Sequence, residues 1–567
     1  MKKILGLVLV IVLTFALLAA CAQTPDDPAP ADTPASADTP TAPADTAPPP
    51  AGEGQDSWLV PERTTIHLAA YLDPGWAHPT ESSFWEWLED YTNVAVDWTT
   101  FLAGEQLEQF ALMMASGELP DAFIGGLGGD TTNLLLYGVE LGIYIPLNDL
   151  IDQYAPNFLR RGIAERPDLL SLLTAPDGNI YSLPRLHLNN PYDQVYNTMA
   201  INQTWLDALG LEPPRTIEEV EEVLIAFRDG DPDGIIPAGG VPLSFLFSCW
   251  GAADPGPWFA PFGAPLVAPI DGREGGFVLI ENDVVTFQGA QEYFRDGARW
   301  LASLYAQGLI DLEVFTYDQA AYRARAGGDP NGLFGIWSSW SPWSDAGDAG
   351  VNYHTLLAPI QGPAGASSRI DLNLPMSRDT FMITNQASDP ELLIRWVDIF
   401  YRDLETSLRA SEGQGPDPNK TWYITDAGLI RMVPHDLRNP EAIRGQNELP
   451  FAPSIIGREL NERLAPELEP NLKAEHNREV VWPYVQNFLN GTWATWPTIF
   501  MLPEEADELS FIEADLLPFT SRMLASWIAG ERNVDEDWEQ YLQDLNAYGL
   551  ERWLEIRQTV YNRFLAG

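Results

Sequence analysis

Three alternating aspartates are the clearest candidates for metal chemistry in this chain. Asp229, Asp231 and Asp233 are followed by Gly234, a spacing that opens an EF-hand calcium loop. Calcium takes about six to eight oxygen ligands, and a bidentate carboxylate at the twelfth loop position usually completes them. That position is Gly240 here. We therefore expect a turn shaped by glycine and proline, with a weak calcium site at the three aspartates as the alternative.

Tryptophan is the second residue type that could bind a ligand, and the chain has 20 of them. A sugar ring has an apolar C–H face inside a rim of hydroxyls, so it binds aromatic platforms surrounded by polar groups. Trp337 and Trp340 follow a predicted buried strand, Trp250 lies in a loop rich in proline and glycine, and Tyr71 stands where the first predicted strand ends. These four residues are the candidate sugar platforms, with core packing as the alternative.

Four further residues could either bind a ligand or have a purely structural role. We expect Trp76, Trp258 and Trp343 to fill the core or to cover a sheet edge. Arg185 follows the residues YSLP and could clamp sugar hydroxyls or a uronate, with a structural ion pair as the alternative.

Catalytic motifs are scarce in the sequence. The six histidines lie far apart, and there is no H-E-x-x-H, C-x-x-C or G-x-S-x-G motif. The run GGLGGD at 125–130 lacks the spacing and the lysine of a phosphate loop, so we expect it to let the chain turn sharply after a strand. No feature singles out a carboxylate pair for glycoside hydrolysis among 81 acidic residues. We expect a binding protein and not an enzyme.

The charge balance excludes two classes of partner. The chain has 32 Lys and Arg against 81 Asp and Glu, a net charge of −49. Such a protein repels nucleic acid and anionic lipid surfaces.

The first residues predict export. Lys2 and Lys3 precede an apolar run from Ile4 to Ala20, which is short for a spanning helix and typical of a signal peptide. The residues ending at Cys21 resemble a bacterial lipobox, in which the cysteine is acylated and the leader is cleaved. An ordinary secretory leader or a membrane anchor is the alternative.

Residues 22–60 are predicted to be a disordered linker. Between residues 22 and 57 there are nine prolines and no Val, Ile, Leu or aromatic residue, so this segment cannot bury enough surface to offset its ordering entropy. After cleavage the only other cysteine is Cys249, and no intramolecular disulfide is expected.

From residue 61 onward, strand-like and helix-like segments alternate, as in an α/β protein. TTIHLAAYL (64–72) and VAVDWTTF predict strands, and SSFWEWLEDYT (82–92) predicts a helix. Strongly amphipathic helices are predicted at 289–309 and 389–404, and a helical pair broken at Gly549 at 533–565.

Several segments occur in an order that is typical of one protein family. LMMASGELPDAFIG, LNDLIDQYAPN, TAPDGNIYSLPR, LYAQGLIDLEVF and FMITNQASDPELLIRWVDIFY follow one another along the chain. This order resembles the large extracellular solute-binding lipoproteins of bacterial ABC importers, the group that contains alginate-oligosaccharide-binding proteins, and the resemblance covers 61–567. Laid over that family's calcium loop, Asp231 and Asp233 match ligand positions, whereas Ile235, Gly239 and Gly240 stand where other ligands are expected.

The resemblance implies an α/β, two-lobed periplasmic-binding-protein-like fold of type II. Ligand is expected in the cleft between the lobes, and the chain is expected to cross between them near 184–200, 352–360 and 405. The first lobe is expected to comprise 61–195 and 355–404, and the second largely 196–354 and 405–567.

The resemblance also implies a function. The expected protein is a monomer on the outer face of the cytoplasmic membrane, anchored through a lipid on Cys21 after removal of residues 1–21. It would capture a carbohydrate, an oligosaccharide by expectation, and deliver it to the transmembrane permease subunits of an ABC importer without a cofactor. The alternatives are the same fold binding a peptide or other polar solute, and a tethered glycoside hydrolase or lyase.

Overall fold

The computed structural model describes residues 59–72, 78–102, 105–167, 169–187, 198–230, 234–247, 255–264, 277–339, 342–353, 355–366, 376–412, 422–432, 452–463, 493–494, 496–497 and 499–566. All belong to the compact unit Ser57–Gly567. The leader with Cys21 and the linker up to residue 58 lie outside the described residues. So do five of the candidate residues, namely Trp76, Asp231, Asp233, Trp250 and Trp340.

The strands are given in chain order. They are β1 (Thr64–Leu72), β2 (Val94–Leu102), β3 (Ala122–Ile124), β4 (Leu183–His187), β5 (Thr198–Ile201), β6 (Val241–Ser244), β7 (Val278–Glu281), β8 (Val284–Phe287), β9 (Phe334–Ser339), β10 (Thr355–Leu356), β11 (Gln361–Gly362), β12 (Gly365–Ala366), β13 (Met376–Ile383), β14 (Trp422–Ile424), β15 (Ile430–Met432), β16 (Ser454–Ile456) and β17 (Trp493–Ala494).

The α-helices are α1 (Ser83–Thr92), α2 (Gln106–Ser116), α3 (Thr131–Asn133), α4 (Asn148–Tyr154), α5 (Pro156–Phe158), α6 (Leu169–Leu173), α7 (Gln203–Leu209), α8 (Ile217–Asp229), α9 (Glu292–Ala306), α10 (Gln319–Ala326), α11 (Pro342–Ala346), α12 (Pro390–Asp398), α13 (Leu404–Glu412), α14 (Arg458–Arg463), α15 (Pro503–Ile528), α16 (Val534–Ala547) and α17 (Leu550–Ala566). Tighter or wider helical turns cover Pro79–Glu81, Leu134–Glu140, Leu159–Ile163, Gly256–Phe262, Gln288–Ala290, Gly347–Tyr353 and Ile399–Tyr401. None of the described helices is both long and apolar enough to cross a bilayer.

The first lobe is built on a six-stranded sheet with the strand order β16-β4-β13-β3-β1-β2. β1 is parallel to both β2 and β3, and its residues Leu68, Ala69 and Ala70 are fully buried. A near-continuous apolar run is typical of a strand covered on both faces. One face packs against a core that includes Trp85 and Trp396, and the other against a smaller core around Phe110.

The second lobe is built on a four-stranded sheet with the order β10-β5-β9-β6 and a three-stranded sheet with the order β17-β7-β8. Its core joins α8, α9 and the three C-terminal helices. α9 is amphipathic, and its apolar face buries Phe294, Trp300, Leu301 and Leu304 among other residues. The mixed α/β content and the two sheet-centred bodies confirm the expected fold class.

Residues with left-handed backbone set where the first helices end. α1 ends at Asn93, whose φ is 59° and whose N–H donates to the Glu89 carbonyl. α2 ends at Gly117, with φ of 73°. A left-handed residue stops the helix and redirects the chain within one residue, so β2 begins immediately after Asn93.

The described strands place the crossings between lobes in three intervals. The chain leaves the first sheet after His187 and enters the second at Thr198, returns between Ala366 and Met376, and leaves again between Arg463 and Trp493. The second and third intervals differ from those expected near 352–360 and 405. β16 pairs with β4 in the first sheet, and α13 packs beside it through Leu404 and Leu408. The described residues 405–412, 422–432 and 452–463 therefore pack with the first sheet, whereas β10 pairs in the second.

Candidate functional site

The carboxyl ends of the first-lobe strands lie along one edge of the six-stranded sheet. β1, β3 and β4 run in the same direction, and antiparallel β13 begins at their carboxyl edge. Ligands of open α/β sheets bind in the crevice beyond this edge. Tyr71 stands at the end of β1, and Arg185 near the end of β4 pairs with Ser377 of β13. The structure therefore brings two of the predicted site residues, Tyr71 and Arg185, to the same edge.

A tight glycine turn follows β3 at this edge. Gly125, Gly126 and Gly128 all have left-handed φ values between 75° and 85°, which glycine adopts without strain. The Asp130 carboxylate then accepts a hydrogen bond from the Asn133 N–H at 3.0 Å and caps α3. This confirms that the glycine run turns the chain sharply after a strand.

Arg378 on β13 connects this turn to the rest of the edge, and sequence reasoning missed it. Its Nη2 donates to the Thr131 hydroxyl at 2.6 Å, and its Nη1 donates to the Leu172 carbonyl at 3.0 Å. The residue is only 3% exposed, and its guanidinium carbon lies 4.0 Å from the centre of the Phe500 ring. The signal available in the sequence was an arginine inside the strand MSRDTFMI, where a buried charge needs specific partners.

The second lobe presents a corresponding edge. β6 and β9 are parallel, and β5 is antiparallel to β9 and to β10. The carboxyl ends of β6, β9 and β10 therefore meet the beginning of β5, where the chain arrives from the first lobe. The polar ends of these strands are Ser244 on β6 and Ser338 and Ser339 on β9, all buried.

A buried carboxylate lies beside the end of β9. The Ser339 hydroxyl donates to Asp345 Oδ2 at 2.5 Å, and Arg323 Nε lies 2.8 Å from Asp345 Oδ1. The Asp345 side chain is 8% exposed and that of Arg323 is 49% exposed. A buried acceptor held next to a half-exposed cation provides both polarities that sugar hydroxyls require.

Trp337 does not form the platform expected of it in this conformation. It is fully buried, and its ring packs against Tyr353 at 5.1 Å, Phe334 at 5.6 Å and Tyr322 at 5.8 Å between ring centres. Trp337 lies within β9 and not after it, and it is a core residue because this side of the strand is covered. Trp258 is also fully buried and lies against Trp300, which confirms its expected core position. Trp343 lies in α11.

The described part of the loop that could have bound calcium, the alternative to a turn, offers poor metal ligands. Arg228 holds both oxygens of Asp229, with Nε 2.7 Å from Oδ1 and Nη2 2.6 Å from Oδ2. These hydrogen bonds lower the pKa of the Asp229 carboxyl below its usual range. In the register that starts at Asp229, the seventh position should offer a backbone carbonyl. That carbonyl belongs to Ile235 and accepts a hydrogen bond from Asn331 Nδ2 at 3.2 Å.

The twelfth loop position is closed by packing. A Cβ atom on Gly240 would lie 2.9 Å from the buried Trp205 ring, so the glutamate that usually completes a calcium loop does not fit here without rearrangement. Within the described residues, no group of three or more His, Cys, Asp and Glu side chains is placed to hold a metal ion. The described loop residues therefore do not fit a resident calcium ion.

Comparison with known proteins identifies relatives along most of the chain. The sequence profile of the bacterial extracellular solute-binding proteins matches residues 76–403. The fructooligosaccharide ABC transporter substrate-binding protein FusA of Streptococcus pneumoniae is 30% identical over 522 residues, which cover 91% of this chain and 93% of that protein.

Solved structures agree with the sequence comparison. The structure of FusA in complex with kestose superposes with a TM-score of 0.74 at 28% identity and covers 88% of this chain and 99% of that chain. An EF-hand mutant of FusA in complex with fructo-nystose gives the same values. The alginate-binding protein AlgQ2 without calcium ion gives a TM-score of 0.66 at 24% identity, covering 89% of this chain and 99% of that chain, and supports the fold alone.

Proposed function

Because the chain belongs to the family of bacterial extracellular solute-binding proteins, we propose that it captures a short oligosaccharide between its two lobes for an ABC importer. The observation that carries the proposal is the similarity to FusA over both lobes, 30% identity across 91% of the chain. Fructooligosaccharides are therefore the first ligands to test.

The chemistry of the two sheet edges supports a sugar ligand. Tyr71 and Arg185 lie at the first edge, and the Ser339–Asp345–Arg323 group lies at the second. Sugar hydroxyls pair with charged and hydroxyl groups, and an aromatic side chain can cover the C–H face of the ring. A ligand that touches both edges only when the lobes approach shifts the open–closed equilibrium by the difference in its affinity for the two states.

Delivery and location complete the proposal. The lipid on Cys21 would hold the folded body at the outer face of the cytoplasmic membrane, and the protein would hand its cargo as a monomer to the transmembrane permease subunits. Cargo would leave unchanged, because capture needs binding and no bond cleavage. Chromatography of the sugar recovered after prolonged incubation tests this point, and shortened products would show a hydrolase or lyase instead.

The binding test uses the chain from residue 57 onward. Thermal unfolding and calorimetry are measured with kestose, longer fructooligosaccharides, alginate oligosaccharides and short peptides. A ligand that binds only the folded state raises the melting temperature with concentration, and we expect this for at least one short oligosaccharide. Saturable binding of peptides combined with indifference to every sugar would overturn the proposal.

Matched variants test the second edge. Asp345→Asn removes the charge of the buried acceptor beside Ser339, and we expect the Kd for the bound sugar to rise about tenfold to a hundredfold, because a hydrogen bond to a charged group contributes about 1.5–3 kcal/mol. Asp152→Asn on α4 changes an exposed aspartate in the first lobe and should leave the Kd unchanged. Equal affinities for both variants would remove Asp345 from the site.

A further inference from the structure

Phe500 belongs to the second lobe along the chain but packs on the first. It follows β17 and precedes α15, and its neighbours Ile499 and Met501 are buried in the core of the second lobe. The Phe500 side chain instead packs against the smaller first-lobe core around Phe110 and Phe123. Three consecutive residues therefore divide their side chains between two lobes.

On the first lobe, Arg378 contacts Phe500 and is hydrogen-bonded to Leu172. The Arg378 guanidinium lies against the Phe500 ring and donates to the Leu172 carbonyl. The Leu172 side chain itself packs against the cores of both lobes. We call Leu172, Arg378 and Phe500 the bridge.

The segment that carries Phe500 is fastened to the second lobe by a buried cation. Arg557 of α17 is 1% exposed, donates to Glu513 of α15 at 2.5 Å and lies 4.8 Å from the ring centres of both Trp496 and Trp553. Trp496 is four residues before Phe500. The position of Phe500 is therefore set by the second lobe, and its contact with Arg378 couples the two lobes directly.

We propose that the bridge holds the lobes in the arrangement of this structure before ligand arrives, that this arrangement is the one that binds solute, and that the bridge therefore sets the affinity of the cleft. Phe500 is thus a positioning residue for capture. The ligand-binding consequence rests on the proposed function, whereas the effect on the ligand-free lobes does not. The observed affinity of a protein equals its intrinsic affinity scaled by the population of the competent state, so a contact that raises this population strengthens binding.

The first experiment measures the ligand-free protein and needs no knowledge of the solute. Small-angle scattering of the chain from residue 57 onward is recorded for the wild type, Phe500→Ala and Phe511→Ala. Phe511 is 79% exposed on α15 of the same lobe and provides a matched phenylalanine control. We expect a larger radius of gyration for Phe500→Ala only, and identical radii for all three proteins would overturn the proposal.

The second experiment measures affinity with the fructooligosaccharide kestose, or with whichever sugar of the binding panel binds. We expect the Kd of Phe500→Ala to rise about fivefold to twentyfold, in the usual range of coupling between sites. Phe500→Leu keeps an apolar side chain but loses the aromatic face that Arg378 contacts, and an intermediate value is expected.

A lower melting temperature of Phe500→Ala with unchanged Kd and unchanged scattering would show a merely structural side chain and would reject the bridge. Failure of every sugar to bind would count against the proposed function, while the scattering result would still decide the bridge.

Discussion

Two buried guanidinium groups, those of Arg378 and Arg557, hold positions that lysine could not fill. Arg378 donates hydrogen bonds to Thr131 and Leu172, and Arg557 donates one to Glu513, while each guanidinium lies over an aromatic ring. Arginine presents a planar fork of donors and is less strongly hydrated than an ammonium group, so it tolerates such surroundings better. Arg378 connects β13 to Phe500, and Arg557 connects α17 to Trp496, four residues before Phe500.

Asp535 provides a residue-scale test of surface electrostatics. Its carboxylate accepts from Arg299 Nη2 at 2.5 Å and from Arg295 Nε at 3.0 Å, joining α16 to α9. Hydrogen bonds from Arg299 and then Arg295 lower its pKa to about 2. A lowered folded-state pKa contributes stability above the unfolded pKa, near 4, and this contribution is lost as the pH falls towards 2.

We therefore expect Asp535→Asn to lower the free energy of unfolding by about 1 kcal/mol at pH 7, since solvent screening reduces the effect of an exposed pair. The difference from wild type should shrink as the pH falls from about 4 and be mostly lost by about pH 2. Urea unfolding at several pH values measures it, with Asp507→Asn, an exposed residue of α15, as the control. A difference that persists unchanged to pH 2 would show that the ion pair is not its cause.

Residue type alone did not distinguish tryptophans that could stack on a sugar from tryptophans that belong to the core. Trp337 and Trp258 look alike in sequence to any ligand-stacking tryptophan, yet both are completely buried. Whether an aromatic ring meets solvent depends on which helices cover the sheet, and α10 and α11 cover Trp337 through Tyr322 and Ala346. Phe500 was missed because no local sequence pattern indicates which of the two lobes a side chain will contact.

At the scale of elements, the turn after β3 depends on two properties of Gly128. Its φ is 75°, and a Cβ atom there would lie 2.3 Å from the Phe110 ring. Gly178 has a similar φ of 86° but opens onto free space. We expect Gly128→Ala to destabilise the protein by about 2–4 kcal/mol and Gly178→Ala by only about 1–2 kcal/mol, because the first adds overpacking to backbone strain. Chemical unfolding measures both, and equal losses would show that the Phe110 contact adds nothing.

The loop after α8 is held by protein groups where a calcium ion would otherwise act. Asn331 binds the Ile235 carbonyl and Arg325 Nη2 binds the Gly239 carbonyl at 3.1 Å. We expect EDTA or added calcium to shift the melting temperature by less than about 1 °C, and terbium to show no saturable luminescence. Asn331→Ala should lower the free energy of unfolding by about 1–2 kcal/mol through the unpaired carbonyl. Asn546→Ala, an exposed control, should not.

A large loss of stability on chelation would show that Asp231 and Asp233 complete an ion site despite the engagement of Asp229.

Strong local signals predicted individual elements well. The strand 64–72 and the break of the C-terminal helical pair at Gly549 agree with the structure, because apolar periodicity and helix-ending residues act within a few positions. Arg378 could not be predicted as a connector, since its partners Thr131, Leu172 and Phe500 lie between 122 and 247 residues away. Long-range partners of this kind are set by the fold and leave no local pattern.

At the scale of the whole molecule, the family resemblance predicted two lobes, but the points at which the chain changes lobe could be seen only from the strand pairings. A switch of lobe near 405 was expected from the family resemblance. β16 returns to the first sheet some 50 residues later and pairs with β4 through Ser454, Ile455 and Ile456. Amino-acid composition does not show where the chain passes from one lobe to the other, because both lobes have the same α/β character.

The proposed lipid anchor at Cys21 can also be tested on the whole molecule. Cys21→Ser should abolish incorporation of labelled palmitate and release the protein from the membrane fraction into the medium or the periplasm, because a thioether-linked lipid needs the thiol. The sugar affinity of the released protein should equal that of the chain from residue 57 onward. Retention of Cys21→Ser in the membrane fraction would show that the uncleaved apolar leader itself acts as the anchor.

The strand order of the first sheet sets a sequence of events during synthesis and export. β13 lies between β3 and β4 and pairs with both. It is synthesised only after β5 to β10, which all belong to the other sheets. Until Met376 emerges, the earliest part of the chain carries a gap in the middle of its sheet, with two bare strand edges able to pair with foreign strands. A newly translocated molecule is therefore most prone to aggregate after β3 and β4 have emerged and before β13 has emerged. A chaperone that shields those strand edges would act in that interval.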